Sequence, residues 1–90
     1  MKDLLARMKA MEAEMEQAGQ NAEYWLEEEH FDEEKANRYE EEADLIYERL
    51  YQVFDQAAEM IVKITAGQIT KITAMTMIRS RRAEVERIFA

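Results

Sequence analysis

Apolar side chains recur at Met1, Leu4, Met8, Met11, Met15, Ala18, Ala22 and Trp25, with spacings that alternate between 3 and 4 residues. That average of 3.5 places them all on one stripe of an α-helix, a heptad seam. A second series with the same alternation follows at Ala36, Tyr39, Ala43, Ile46, Leu50, Val53, Ala57, Met60 and Ile64. Between the two lies a polar break, Glu29-His30-Phe31-Asp32-Glu33-Glu34. Asp32 suits an N-cap there, with Glu33 and Glu34 in a first turn where the helix dipole favours negative charge. No stretch alternates apolar and polar residues as a strand would. The pattern predicts an all-α chain whose first two helices cover about residues 2–29 and 33–66.

The two seams share one register. When the chain folds back at the break, facing positions have numbers with a constant sum, here 61. Trp25 then meets Ala36, Ala22 meets Tyr39, Ala18 meets Ala43 and Met15 meets Ile46. The series continues through Met11 with Leu50, Met8 with Val53, Leu4 with Ala57 and Met1 with Met60. Large residues face alanines at several of these levels, as a close-packed core requires. The expectation is a long antiparallel helical hairpin. Gly19 keeps the seam in phase, so the first helix is expected to run through it, with the glycine allowing close approach.

A further stripe on the second helix, Tyr47, Tyr51, Phe54, Ala58, Ile61 and Thr65, is apolar only from position 47 onward. A third helix over about 70–89 would cover it, with Gly67 stopping the second helix and Thr70 capping the third. Antiparallel pairing puts Met75 on Ile61, Ile78 on Ala58, Arg82 on Phe54, Val85 on Tyr51 and Phe89 on Tyr47. Arg82 fits this series as a guanidinium over an aromatic face. Residues 1–90 are thus read as one helical domain, a three-helix base carrying a two-helix spur over about residues 15–46.

Composition narrows the function. Ninety residues hold 20 Asp+Glu against 12 Lys+Arg, a formal charge of −8, with no Cys and no Pro. Zero cysteine removes disulfides, thiolate catalysis and cysteine-based zinc sites. Net negative charge argues against direct binding to nucleic-acid phosphates. No apolar run is long enough to span a membrane and no charged-then-apolar leader opens the chain, so a cytoplasmic protein is expected. The charge is uneven: the spur carries 12 acids against Lys35 and Arg38, a formal −10, and the remainder sums to +2. Glu27, Glu28 and Glu29 are expected in the last turn of the first helix, where the dipole disfavours them. A positive partner would relieve that crowding.

The partner-facing set is Glu23, Glu27, Glu28, Asp32, Glu33, Glu40, Glu41, Glu42 and Asp44, with Trp25 as an aromatic anchor. Glu27-x-x-His30, with Glu34 opposite on the register, has the spacing of carboxylate-bridged metal bundles; against it, the motif sits at a wet loop, where a surface histidine is the simpler reading. The methionines at 1, 8, 11 and 15 are read as core, although such residues also line pliable grooves. Arg79-Ser80-Arg81-Arg82 reads as counter-charge for the acidic helices, within or between protomers, rather than as a DNA-reading helix. Trp25-Leu26-Glu27 lacks the glycine of the Trp-x-Gly turn found in one family of small secreted hairpins, and no family resemblance is drawn.

Catalysis is not expected: His30 is the only histidine, Ser80 the only serine, and neither has a nucleophile–base partner. No cofactor is called for. The sequence therefore points to a non-enzymatic interaction module whose acidic spur binds a basic protein surface, extending to inhibition or regulation of a nucleic-acid-binding protein by charge mimicry. Two alternatives stand beside it: a homo-oligomeric bundle with a metal site at Glu27, His30 and Glu34, and a purely structural assembly protein. A homodimer is expected in each case, because Ile69, Ile72, Met77 and Ile88 are left without partners.

Overall fold

The computed structural model describes residues 2–90, and among them it contains four α-helices and no strand. Helix α1 spans Lys2–Leu26, α2 Glu33–Ile64, α3 Lys71–Ser80 and α4 Arg82–Phe89. Helix α2 packs against α1 as an all-α helical hairpin. The chain forms two compact units, Met1–Met8 with Tyr51–Ala90, and Lys9–Leu50. The expected Met1–Met60 pairing lies outside the described residues.

In the unit Lys9–Leu50 every buried residue belongs to one of the two heptad seams: Ala18 and Ala22 from α1, and Ala36, Ile46 and Leu50 from α2. Met11, Met15, Trp25, Tyr39 and Ala43 are half-buried beside them. Two helices alone cover only a narrow stripe, so near the turn Ala18, Ala22 and Ala36 are enclosed while Trp25 and Tyr39 keep one side in solvent. Gly19 lies within continuous helix, as expected. The reason expected for it does not hold, because a Cβ built there meets nothing within 4 Å. No neighbouring backbone approaches closely enough to exclude a side chain.

The second unit has the fuller core. Leu5 and Met8 of α1, Val53, Phe54, Ala57, Ala58 and Ile61 of α2, Ala74, Met77 and Ile78 of α3, and Val85 and Phe89 of α4 are all buried. Leu5 lies off the seam, since a helix with more than one neighbour buries a wider stripe than a hairpin partner alone would cover. The stripe on α2 is covered from Phe54 onward. Tyr47 and Tyr51 remain half exposed, at 50% and 47%.

The third helix expected over 70–89 is two helices, with a break at Arg81 (φ −135°, ψ 53°). The Ser80 hydroxyl donates to the Thr76 carbonyl at 2.8 Å, and Arg82 Nε donates to the Ile78 carbonyl at 2.9 Å. Such side-chain bonds compete with the backbone ladder and bend or end a helix. Arg82 nonetheless sits over the Phe54 ring, 5.8 Å from its centroid. Thr70 caps α3 as expected, its hydroxyl accepting from the Thr73 amide at 3.3 Å.

Helix α2 ends in a Schellman motif, with Gly67 N–H donating to Val62 O at 2.9 Å and Ala66 N–H to Lys63 O at 3.1 Å. The left-handed C′ position falls on Ala66 (φ 52°), and Gly67 (φ 81°) follows it. Gly67 is therefore one residue beyond the place where glycine is usual. Lys71 then ties α3 back to α2 within the same unit, with its Nζ 2.7 Å from Asp55 and 3.4 Å from Glu59. No helix among the described residues is long and apolar enough to cross a membrane.

Candidate functional site

Charge separates with the two units. Lys9–Leu50 carries 15 acids against Lys9, Lys35, Arg38 and Arg49, a formal −11, and the other unit carries 5 acids against 8 bases, +3, together the −8 of the whole chain. No charged side chain is buried among the described residues. Glu40, Glu41, Glu42 and Asp44 are all fully on the solvent side of α2, and none has an ion-pair partner among the described residues. On a helix, 40, 41, 42 and 44 spread around more than half the circumference, so no single face is acidic; the whole segment is.

The turn joining the helices is built locally. Asp32 Oδ1 accepts from the Lys35 amide at 3.1 Å, the expected N-cap, while the Asp32 amide donates to the Trp25 carbonyl at 2.7 Å. Helix α1 stops at Leu26, three residues earlier than expected, and Glu27 is extended (φ −69°, ψ 142°) before a 3-10 turn over Glu28–His30. Glu27, Glu28 and Glu29 therefore do not sit in the last turn of α1. The dipole penalty expected for them is relieved by turning the chain away, and what remains is the crowding of like charges with Asp32, Glu33 and Glu34.

His30 is not a simple surface histidine. Its ring stacks on Tyr24, with centroids 3.7 Å apart and planes at 21°, and stands edge-on to Trp25 at 6.0 Å. Tyr24 and Trp25 are themselves edge-to-face at 5.0 Å. Lys35 Nζ lies 4.2 Å over the Trp25 ring. Trp25 is thus half-buried, with a lysine of its own unit over its ring. The apolar surface at the turn comes instead from Tyr24, Leu26 and Phe31, at 49%, 46% and 59% exposure.

The proposed metal ligands come together only in part. His30 Nε2 is 3.3 Å from Glu27 Oε2, without the alignment of a hydrogen bond. Glu34 is drawn one turn along α2, where its carboxylate accepts from Arg38 at 3.1 Å. Among the described residues, no three His or carboxylate side chains converge. Each copy thus brings Glu27 and His30 together, while Glu34 is held by Arg38.

Two open grooves flank the acidic segment. One, about 370 Å³, is lined by Trp25, Lys35, Arg38, Tyr39 and Glu42. The other, about 320 Å³, is lined by Gly19, Ala22, Glu23, Leu26, Glu40, Ala43 and Asp44. Pattern reading missed both grooves and the Tyr24–His30–Trp25 cluster, because they depend on how the turn places side chains that share no periodicity. The one cue to the second groove is the i, i+3 pairing of two small residues, Gly19 and Ala22, with Glu23 following. No protein family, curated protein or solved structure matches the chain.

Proposed function

We propose that this chain is a non-enzymatic interaction module whose acidic two-helix unit binds a basic surface on another protein. The observation that carries this reading is the charge separation, −11 on Lys9–Leu50 against +3 elsewhere, with Glu40, Glu41, Glu42 and Asp44 exposed and unpaired among the described residues. Concentrating like charge on one unit costs folding free energy through self-repulsion, and a cationic partner recovers it. The density also supports mimicry of nucleic acid. Within the unit, α2 rises about 27 Å over Glu33–Leu50. A charge of −11 over that length is roughly one per 2.5 Å, against about one per 1.7 Å for duplex DNA. The partner surface best matched is therefore one shaped for a phosphate backbone, with inhibition or regulation of its owner as the consequence. Phe31 and Leu26 supply apolar contact at the turn, beside Glu23, Glu27, Glu28, Asp32 and Glu33. A cysteine-free chain needs no oxidising compartment, and the reading assigns it to the cytoplasm.

The test is affinity capture from the native host with the wild type and with a Glu40→Gln/Glu41→Gln/Glu42→Gln variant, followed by binding measurements on the recovered partner. The expected partner is basic, its affinity falls steeply as salt rises because exposed charges are screened beyond about 8–10 Å, and the triple variant binds more weakly. A partner bound equally at low and high salt, or equally by the triple variant, overturns the proposal.

A further inference from the structure

Gly19 is the residue of the unit Lys9–Leu50 that the unit's own packing explains least. It stands in the interior of α1, where glycine is inferior to alanine because it surrenders more backbone entropy. A Cβ there would meet nothing within 4 Å, so no contact inside the chain demands its absence. Gly19 opens instead into the groove of about 320 Å³. Gly19, Ala22 and Ala43 are the enclosed residues of that groove and form its floor, while Glu23, Glu40 and Asp44 are exposed and form its rim. Leu26 closes one end at 46% exposure. A floor without long side chains admits another helix at the short end of the usual range of axial separations, about 8–10 Å. A rim of three carboxylates selects a helix that carries positive charge.

The same molecule holds such a helix. On α3 the residues Ile72, Thr76 and Arg79, spaced i, i+4 and i+7, share the stripe opposite the buried Ala74, Met77 and Ile78. Ile72 is 82% exposed, more than any other large apolar side chain described, and Arg79 is exposed with no ion-pair partner among the described residues. Of the apolar positions expected to need a second copy, Met77 is buried within its own unit and Ile69 and Ile88 are half-buried, which leaves Ile72 alone in the open. Ile72 to Arg79 and Gly19 to Leu26 each span seven residues, about 10.5 Å of helix. With Ile72 against Leu26, Arg79 falls level with Gly19, beside Asp44.

We infer that this groove is the seat for α3 of a second copy of the chain, Ile72 packing on Leu26 and Arg79 entering the carboxylate rim. The contact joins the +3 unit of one copy to the −11 unit of the next, so the like overall charge of the two copies does not oppose it at close range. It is heterologous, each copy offering one seat and one helix. It stands apart from the foreign partner proposed above, because it is read on the purified chain alone.

The experiment is sedimentation velocity over a concentration series with the wild type, Arg79→Glu, Glu40→Arg, Ile72→Ser and Gly19→Met. The wild type is expected to gain mass with concentration. Each charge reversal should weaken association at least about tenfold, since it replaces attraction with like-charge juxtaposition. Ile72→Ser removes the apolar contact and Gly19→Met fills the floor, so both should also weaken it. The decisive arm mixes Arg79→Glu, whose groove is intact, with Glu40→Arg, whose α3 is intact: each alone stays monomeric and the mixture forms a 1:1 dimer. A wild type that stays monomeric at every concentration overturns the inference. So do single variants that associate as the wild type does, or a mixture that stays monomeric. All four positions are at the surface or in open space, and helicity by circular dichroism checks that each variant folds.

Discussion

Gly19→Ala should stabilise the folded chain, and the size of the effect can be worked out. In a helix interior glycine is about 0.8–1.0 kcal/mol worse than alanine. Usually a contact offsets or reverses that number, but here the added Cβ finds no atom within 4 Å, so it neither clashes nor gains packing. The propensity difference should stand nearly alone. For a domain of this size 1 kcal/mol corresponds to a rise in melting temperature of about 4–8 °C. In urea, with a slope of about 1–2 kcal/mol per molar, the midpoint should move up by roughly 0.5–1 M without a change in slope. Circular dichroism at 222 nm on dilute protein gives both readings, dilution keeping self-association out of the measurement. Ala13→Gly, at an exposed position of the same helix, is the mirror control and should cost a similar amount. If Gly19→Ala is neutral or destabilising while Ala13→Gly behaves normally, glycine at 19 serves the fold of the single chain. The groove at Gly19 is then no seat for another helix.

Three further outcomes are expected. Ala66→Gly should raise stability by about 0.5–1 kcal/mol, because a left-handed residue with a Cβ costs roughly 1–2 kcal/mol and glycine gives part of that back in entropy; urea melts that show a loss would contradict the Schellman geometry. Lys71 is held above the usual lysine value of 10.5, chiefly by its hydrogen bond to Asp55. A raised lysine contributes stability that is complete below the unfolded value and is lost as pH climbs through the folded one. The stability gap between wild type and Lys71→Met should therefore persist at neutral pH and close above about pH 10.5; a gap that stays unchanged through the alkaline range refutes the pairing. His30→Ala removes the ring stacked on Tyr24 and edge-on to Trp25, and aromatic pairs of this kind contribute about 0.5–1.5 kcal/mol beyond burial. Tryptophan emission should shift to the red and stability fall by a similar amount, while an unchanged Trp25 spectrum would remove His30 from the cluster.

The hairpin was legible because its signal is long. The two seams supply one shared register, and Met8, Ala18, Ala22, Ala36, Ile46, Leu50, Val53 and Ala57 are buried along it. Arg82 over Phe54 was legible for the same reason, since register alone brings those positions to one level. What register cannot encode is a single side chain competing with the backbone. The break at Arg81 turns on the Ser80 hydroxyl and the Arg82 guanidinium, and the early stop of α1 turns on where Glu27 leaves the helix. Charge distribution could be counted directly, so the acidic segment was visible. Lys35 over Trp25 and the groove at Gly19 were not, because they arise only once the turn fixes which sides of two helices meet. Nor could register tell that Glu34, at the level of Glu27, is bonded to Arg38.

The tight turn also has a kinetic meaning. The bond from the Asp32 amide to the Trp25 carbonyl closes a loop of only seven residues. From there the shared register adds pairs whose separation grows stepwise, from 11 residues at Trp25 and Ala36 to 39 at Met11 and Leu50. No pair has to wait for a distant one, so each step closes little additional loop and loses little additional chain entropy. If assembly zips from the turn, its first step takes place at the most acidic end; helical chains rich in local pairing fold in microseconds to milliseconds. Ionic strength, by quieting repulsion among the turn's carboxylates, then acts as an accelerator on the first step of folding.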